Sequence, residues 1–149
     1  MVIENCYNSG IITAESDIGE ICGGLNSIQI LNCYNTGNVN GKATSFPGIG
    51  GIGGSSVSKN IIKNNYNTGN IILTNNSHKY IGGIIGIKSD TDVRENNYFL
   101  ENTVNGENGV DLLDGTESKN VDEMKEIYNI LGNKFKKDVN DGYPILFWQ

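Results

Sequence analysis

Apolar positions along this chain come in short bursts rather than in a helical rhythm. Ile11-Ile12, Ile61-Ile62, Ile71-Ile72 and Ile84-Ile85, with Val39 between two asparagines, are each bounded by Asn, Ser, Thr or Gly. β-Branched bursts cut by turn-forming residues predict strands of about three to six residues. The bursts lie in a recurring phrase: Ile3-Glu4-Asn5-Cys6-Tyr7-Asn8-Ser9-Gly10, then Ile30-Leu31-Asn32-Cys33-Tyr34-Asn35-Thr36-Gly37, then Ile62-Lys63-Asn64-Asn65-Tyr66-Asn67-Thr68-Gly69. A degraded fourth copy surrounds Glu95-Asn96-Asn97-Tyr98. Glycine pairs at Gly23-Gly24, Gly50-Gly51 and Gly82-Gly83 each begin sixteen residues after a phrase tyrosine. The tyrosines are spaced 27, 32 and 32 residues apart, and with the glycine pairs in register the five residues missing from the first interval fall between Gly24 and Tyr34.

A unit of about 30 residues that cannot bury its own apolar face must stack on its neighbours. Helical units are excluded by the Asn- and Gly-rich composition of the repeats. Three repeats are too few to close a propeller. The reading is therefore mainly β: a right-handed parallel β-solenoid of three to four coils, with three short strands and three corners per coil. Like residues then stack roughly 4.8 Å apart. The predicted columns are Ile3/Ile30/Ile62, Cys6/Cys33/Asn65/Asn97, Asn8/Asn35/Asn67 and Gly10/Gly37/Gly69. Asparagine columns can form amide ladders at corners and tolerate left-handed backbone. The glycines mark positive φ or close coil-to-coil approach.

The organisation is 1–101 as repeats and 102–149 as a short helix-containing C-terminal cap over the solenoid end. Asn120 as N-cap, Glu123 at the capping-box position, the stripe Met124, Ile127, Ile130 and Leu131, and Gly132 as stop or kink predict a helix over about 120–137. Phe147 and Trp148 are expected to pack. Met1 falls directly into a repeat without a leader of the signal-peptide kind, which suggests the C-terminal piece of a larger parent chain.

The net charge of −6 argues against nucleic acid as partner, and no apolar run reaches the roughly 20 residues of a membrane span. Three cysteines do not make a disulfide framework. Cys6, Cys22 and Cys33 are expected as small core residues, with a Cys6–Cys33 bridge kept as a hypothesis. Gly48-Ile49-Gly50-Gly51-Ile52-Gly53 fits the dinucleotide fingerprint but lies on the repeated glycine pair with nothing helical after it. Gly50–Gly53 lacks the Asp of a calcium-binding nonapeptide, and Asp138–Gly142 lacks the spacing of a calcium loop. His78 is the sole histidine, which leaves no His-Glu-x-x-His zinc site and no multi-histidine metal cluster, and an exposed loop histidine is the expectation. The pairs Asp90/Asp92 and Asp111/Asp114 are the carboxylates a polysaccharide-acting enzyme would need, and solvated loop charge is the plainer reading. No catalytic, cofactor-binding or metal residue is assigned, and no ligand-binding residue is known from sequence.

The repeat resembles the GLUG-motif family of bacterial surface and secreted proteins, which includes non-catalytic regions of immunoglobulin-A-cleaving metallopeptidases. The Gly-Leu-apolar-Gly signature falls on Gly83-Ile84-Ile85-Gly86, loosely on Gly51-Ile52-Gly53-Gly54, and in altered form on Gly24-Leu25-Asn26-Ser27. Asn32 to Val39 is similar to the phrase that accompanies the motif, and the tail (Glu123-Met124-Lys125, Leu131-Gly132, Phe135 to Asp138, Asn140 to Gln149) resembles the ending of such proteins. The resemblance implies an extracellular, non-catalytic module for display or for adhesion to a host protein or glycan. Loops 40–48, 54–60, 74–80 and 88–94 are the expected carriers of specificity. The alternatives are a polysaccharide-acting β-helix enzyme and a spacer beside an upstream catalytic domain.

Overall fold

The computed structural model of the protein describes residues 1–42, 48–74, 80–104 and 115–149. The first coil carries β1 (Val2–Glu4), β2 (Tyr7–Asn8), β3 (Ile12–Ala14), β4 (Ile18–Gly19) and β5 (Cys22–Asn26). The second repeats them as β6 (Gln29–Leu31), β7 (Tyr34–Asn35), β8 (Val39–Gly41), β9 (Ile49–Gly50) and β10 (Gly53–Ser58). The third has β11 (Ile61–Lys63), β12 (Tyr66–Asn67), β13 (Ile71–Leu73), β14 (Ile81–Gly82) and β15 (Ile85–Ile87), and a partial fourth has β16 (Val93–Glu95) and β17 (Asn97–Leu100). Every strand pairs in parallel with its equivalent, giving the rows β1-β6-β11-β16, β2-β7-β12-β17, β3-β8-β13, β4-β9-β14 and β5-β10-β15. The molecule is a parallel β-solenoid, with five sides per coil instead of three. The extra corners come from single-residue bends: Asn5, Asn32, Asn64 and Asn96 hold φ of 54°, 54°, 57° and 52° between the first and second side of each coil.

The columns stack as the repeat requires. Ile3, Ile30 and Ile62 align, with Arg94 on the fourth rung, and Tyr7, Tyr34, Tyr66 and Tyr98 form a second column. Inside, Ile30, Ile62, Ile52 and Ile84 are wholly buried with Leu25 and Ile85, while Val39, Ile49 and Ile71 fill the other half. Asn8, Asn35 and Asn67 run up the interior as an amide ladder, each also clasping the glycine two residues on. Phe99 takes the fourth rung and ends it. The repeat glycines serve close approach, since no glycine of the described repeats has positive φ.

The register of the first coil differs from the tyrosine-to-glycine count. Coil-to-coil offset is 27 residues at Ala14–Gly41, 31 at Ile18–Ile49 and 32 at Gln29–Ile61. Four of the five missing residues are thus lost between Ala14 and Ile18, and one at the irregularity in β10 between Ser56 and Ser58. Gly19, not Gly23, stacks on Gly50 and Gly82. The first-coil counterpart of Gly51-Ile52-Gly53-Gly54 is therefore Glu20-Ile21-Cys22-Gly23, and Glu20 stands in a glycine column.

The tail carries the expected short helical segment, within narrower bounds. Thr116–Lys119 (β18) adds a fifth rung to the tyrosine sheet. The chain then turns back along the outer face of that sheet. Helices α1 (Val121–Glu126) and α2 (Tyr128–Leu131) meet at Ile127, with the Asn120–Glu123 capping box formed. Gly132 at φ 86° ends them six residues before the predicted boundary. Phe135–Lys136 (β19) instead pairs antiparallel with Ile145–Leu146 (β20). Met124, Ile127, Leu131, Phe135 and Leu146 bury the tyrosine column, whereas Ile130 points outward. The row of phenol rings is an apolar surface that the coils turn outward, and the tail removes it from water.

Candidate functional site

The site is built where the returning tail reaches the first coil. Tyrosine rings stack at 5.2 Å between Tyr7 and Tyr34 and 4.9 Å between Tyr34 and Tyr66, and Phe135 leans on the last two. Phenol hydroxyls anchor the tail: Tyr66 donates to the Pro144 carbonyl, and Tyr34 donates to Gln149 Oε1 at 2.8 Å. Gln149 Oε1 also accepts from the Leu146 amide, which closes the last turn. That turn lays Trp148 against Tyr7, centroids 6.1 Å apart, and leaves Phe147 and Trp148 69% and 64% exposed. Both were expected to pack; the tyrosine column is already filled by Phe135 and Leu146, so the two rings stand over its end.

Between them lies a cleft of about 250 Å³ lined by Asn5, Asn133, Lys134, Phe147 and Trp148. Asn5 begins the corner ladder in which Asn64 donates to Asn32 and Asn96 to Asn64, each at 3.2 Å. Its own Oδ1 is buried without a hydrogen-bond partner. Lys136 sits 5.7 Å over the Phe147 ring. Lys134 forms no salt bridge among the described residues.

The sequence-derived candidates are scattered. Asp92 is not solvated loop charge: its carboxylate is sealed from solvent beside Arg94 and accepts from Ser56 Oγ, the Asn60 amide, Asn60 Nδ2 and the Ser89 amide. It is committed to holding a turn and has no face left for a substrate. Asp90 points outward, paired only with Lys88 at 3.7 Å. His78 and the Asp111/Asp114 pair lie outside the described residues, as do 43–47 of loop 40–48 and 75–79 of loop 74–80. Segment 54–60 is not a loop, since β10 spans Gly53–Ser58 and pairs on both sides. In 88–94 the solvent-facing part is a turn around Asp90-Thr91, after which β16 begins.

Comparison with protein-family models, curated proteins and solved structures gives no match. The resemblance of the repeat therefore rests on its own residues.

All three cysteines are free thiols. Cys33 is buried, and that burial pushes its thiol up to about 12, but Cys6 is exposed, because the first coil has no rung beneath it. Glu20 is the buried group that the phrase spacing concealed. Its Oε2 accepts from Asn8 Nδ2 and its Oε1 has no partner, so burial raises the carboxyl to about 7. The unfolded chain releases this proton near the ordinary carboxylate value and the folded chain near 7, so folding takes up a proton in between. Stability from this group is present below about pH 4.5 and is lost as pH rises through about 7. Thermal melts from pH 4 to 8 should show Glu20→Gln gaining stability over the parent as pH rises from about 4.5 to about 7, with the gap constant above that. A gap independent of pH would refute the assignment.

Proposed function

We propose that this chain is a non-catalytic display and adhesion module of a bacterial cell-surface or secreted protein, presenting the aromatic cleft at its first coil to a host protein or glycan. The single observation that carries the reading is the pair Phe147 and Trp148, held by a hydrogen-bonded turn on a rigid stack and yet largely exposed. Exposed rings fixed by a scaffold are a binding surface whose ordering cost is met on folding, not on association. The GLUG-like repeat supports the extracellular setting. The spacer alternative draws support from a different feature: β1 to β5 all lie at the edges of their sheets, and an unpaired row of strands can receive further coils.

The test is a screen of the purified domain on host-matrix protein and glycan arrays beside Phe147→Ala. Saturable capture of one class, weakened at least tenfold in the variant, is the expected outcome. Clean absence of capture by folded protein would leave the spacer reading in its place.

A further inference from the structure

Resting on that binding reading, we infer that the cleft between the first coil and the tail takes a saccharide carrying a carboxylate, such as a uronic or sialic acid residue. Four features of one small volume converge on this chemistry. Trp148 and Phe147 are largely exposed, and the C–H face of a pyranose is the apolar, weakly electropositive surface that a negative ring face attracts. Asn5 lines the cleft with a side-chain amide, a group that hydrogen-bonds sugar hydroxyls. Lys134 lines the same cleft with no salt bridge among the described residues, and Lys136 lies beside Phe147, so the local charge favours an anion although the chain as a whole is acidic. A cleft of about 250 Å³ is below the roughly 300–1,000 Å³ of drug-sized sites and suits the end of a chain rather than a whole oligomer. A folded protein partner would need about 800 Å² of surface on this side, far more than the cleft presents.

Trp148 is the only tryptophan, so its fluorescence reports on this site alone. The probes are tetragalacturonate, sialyllactose and, as neutral counterparts, cellotetraose and lactose. The expected result is a saturable blue shift with the acidic sugars and at least tenfold weaker response to the neutral ones. Lys134→Gln should weaken the acidic sugars about tenfold or more, and calorimetry should show binding lost in Trp148→Ala with its melting temperature kept. Equal binding of neutral and acidic sugars, unmoved by Lys134→Gln, overturns the inference. So does absence of sugar binding while the array captures a host protein, an outcome that leaves the adhesion reading standing. Binding of neither class overturns both.

Discussion

Gly69→Ala is expected to destabilise the domain by about 3 kcal/mol or more, a large part of the roughly 5–15 kcal/mol that holds a typical domain together. A Cβ at this position would lie 1.7 Å from the Gly37 carbonyl oxygen and 2.8 Å from Asn35 Nδ2. Neither neighbour is a flexible chain end. The carbonyl belongs to the rung below, and the rung spacing is fixed by parallel hydrogen bonds on either side, including Thr68 N to Asn35 O at 2.9 Å. Relief requires parting two coils. Gly24→Ala supplies the contrast, because its Cβ meets nothing within 4 Å and its φ is not left-handed. That change should be neutral or slightly stabilising, by up to about 1 kcal/mol through the unfolded chain. Urea midpoints decide: equal midpoints for Gly69→Ala and the parent would mean that the coils are not packed in this register, and a large loss in Gly24→Ala would restore it to the repeated glycine pair.

That contrast also shows which parts of the fold were legible. The tyrosine, isoleucine and asparagine columns could be read because parallel stacking at one rung spacing demands like residues at a fixed interval, and the phrase supplies them. The amide ladder was legible for the same reason. The first-coil register was not, because Gly23-Gly24 happens to fall at the right distance from Tyr7 while the true partner of Gly50 is Gly19. A loop shortened before the glycines and one shortened after them leave the same tyrosine interval. The alignment of Ile18 with Ile49 and Ile81 was the available signal, and following it places Glu20 opposite Gly51. The helix start was visible in Asn120 and Glu123, and its end in Gly132 as a stop; the expectation of a run to about 137 passed over that signal, and Phe135 packs instead on the tyrosine column. Asp92 looked like loop charge because its partners Ser56, Asn60 and Arg94 come from two coils and assemble only when those coils stack. The cleft was least legible of all: Trp148 and Phe147 were noticed as core candidates, whereas Asn5 and Lys134 meet them only through the path of the returning tail.

Asn67→Ala is expected to cost about 4 kcal/mol, comparable to removing a large core side chain although only an amide is lost. Asn67 is fully buried. Its Oδ1 accepts from Asn35 Nδ2 at 2.8 Å and from the Gly69 amide at 3.0 Å, and its Nδ2 donates to the Gly69 carbonyl at 3.1 Å. Truncation therefore leaves two donors and one acceptor in a dry interior, each costing roughly 1–3 kcal/mol when unpaired. The bonds also support one another, because Asn35 in turn accepts from Asn8 Nδ2 and the Gly37 amide. Asn38→Ala tests whether burial or bonding carries the effect. Asn38 Oδ1 accepts from the Asn70 amide at 3.0 Å in the same rung-to-rung manner, but at the surface, where water replaces the lost partner. Its cost should stay below about 1 kcal/mol. Denaturant titration of both variants, with Asn35→Ala and the Asn35→Ala/Asn67→Ala double variant completing a cycle, measures the coupling directly. A double variant far less damaging than the sum of the singles is the expected signature of a ladder that fails as a unit. Strict additivity would show that the interior amides act independently rather than as a ladder, and equal losses in Asn67→Ala and Asn38→Ala would show that burial adds nothing to the bond.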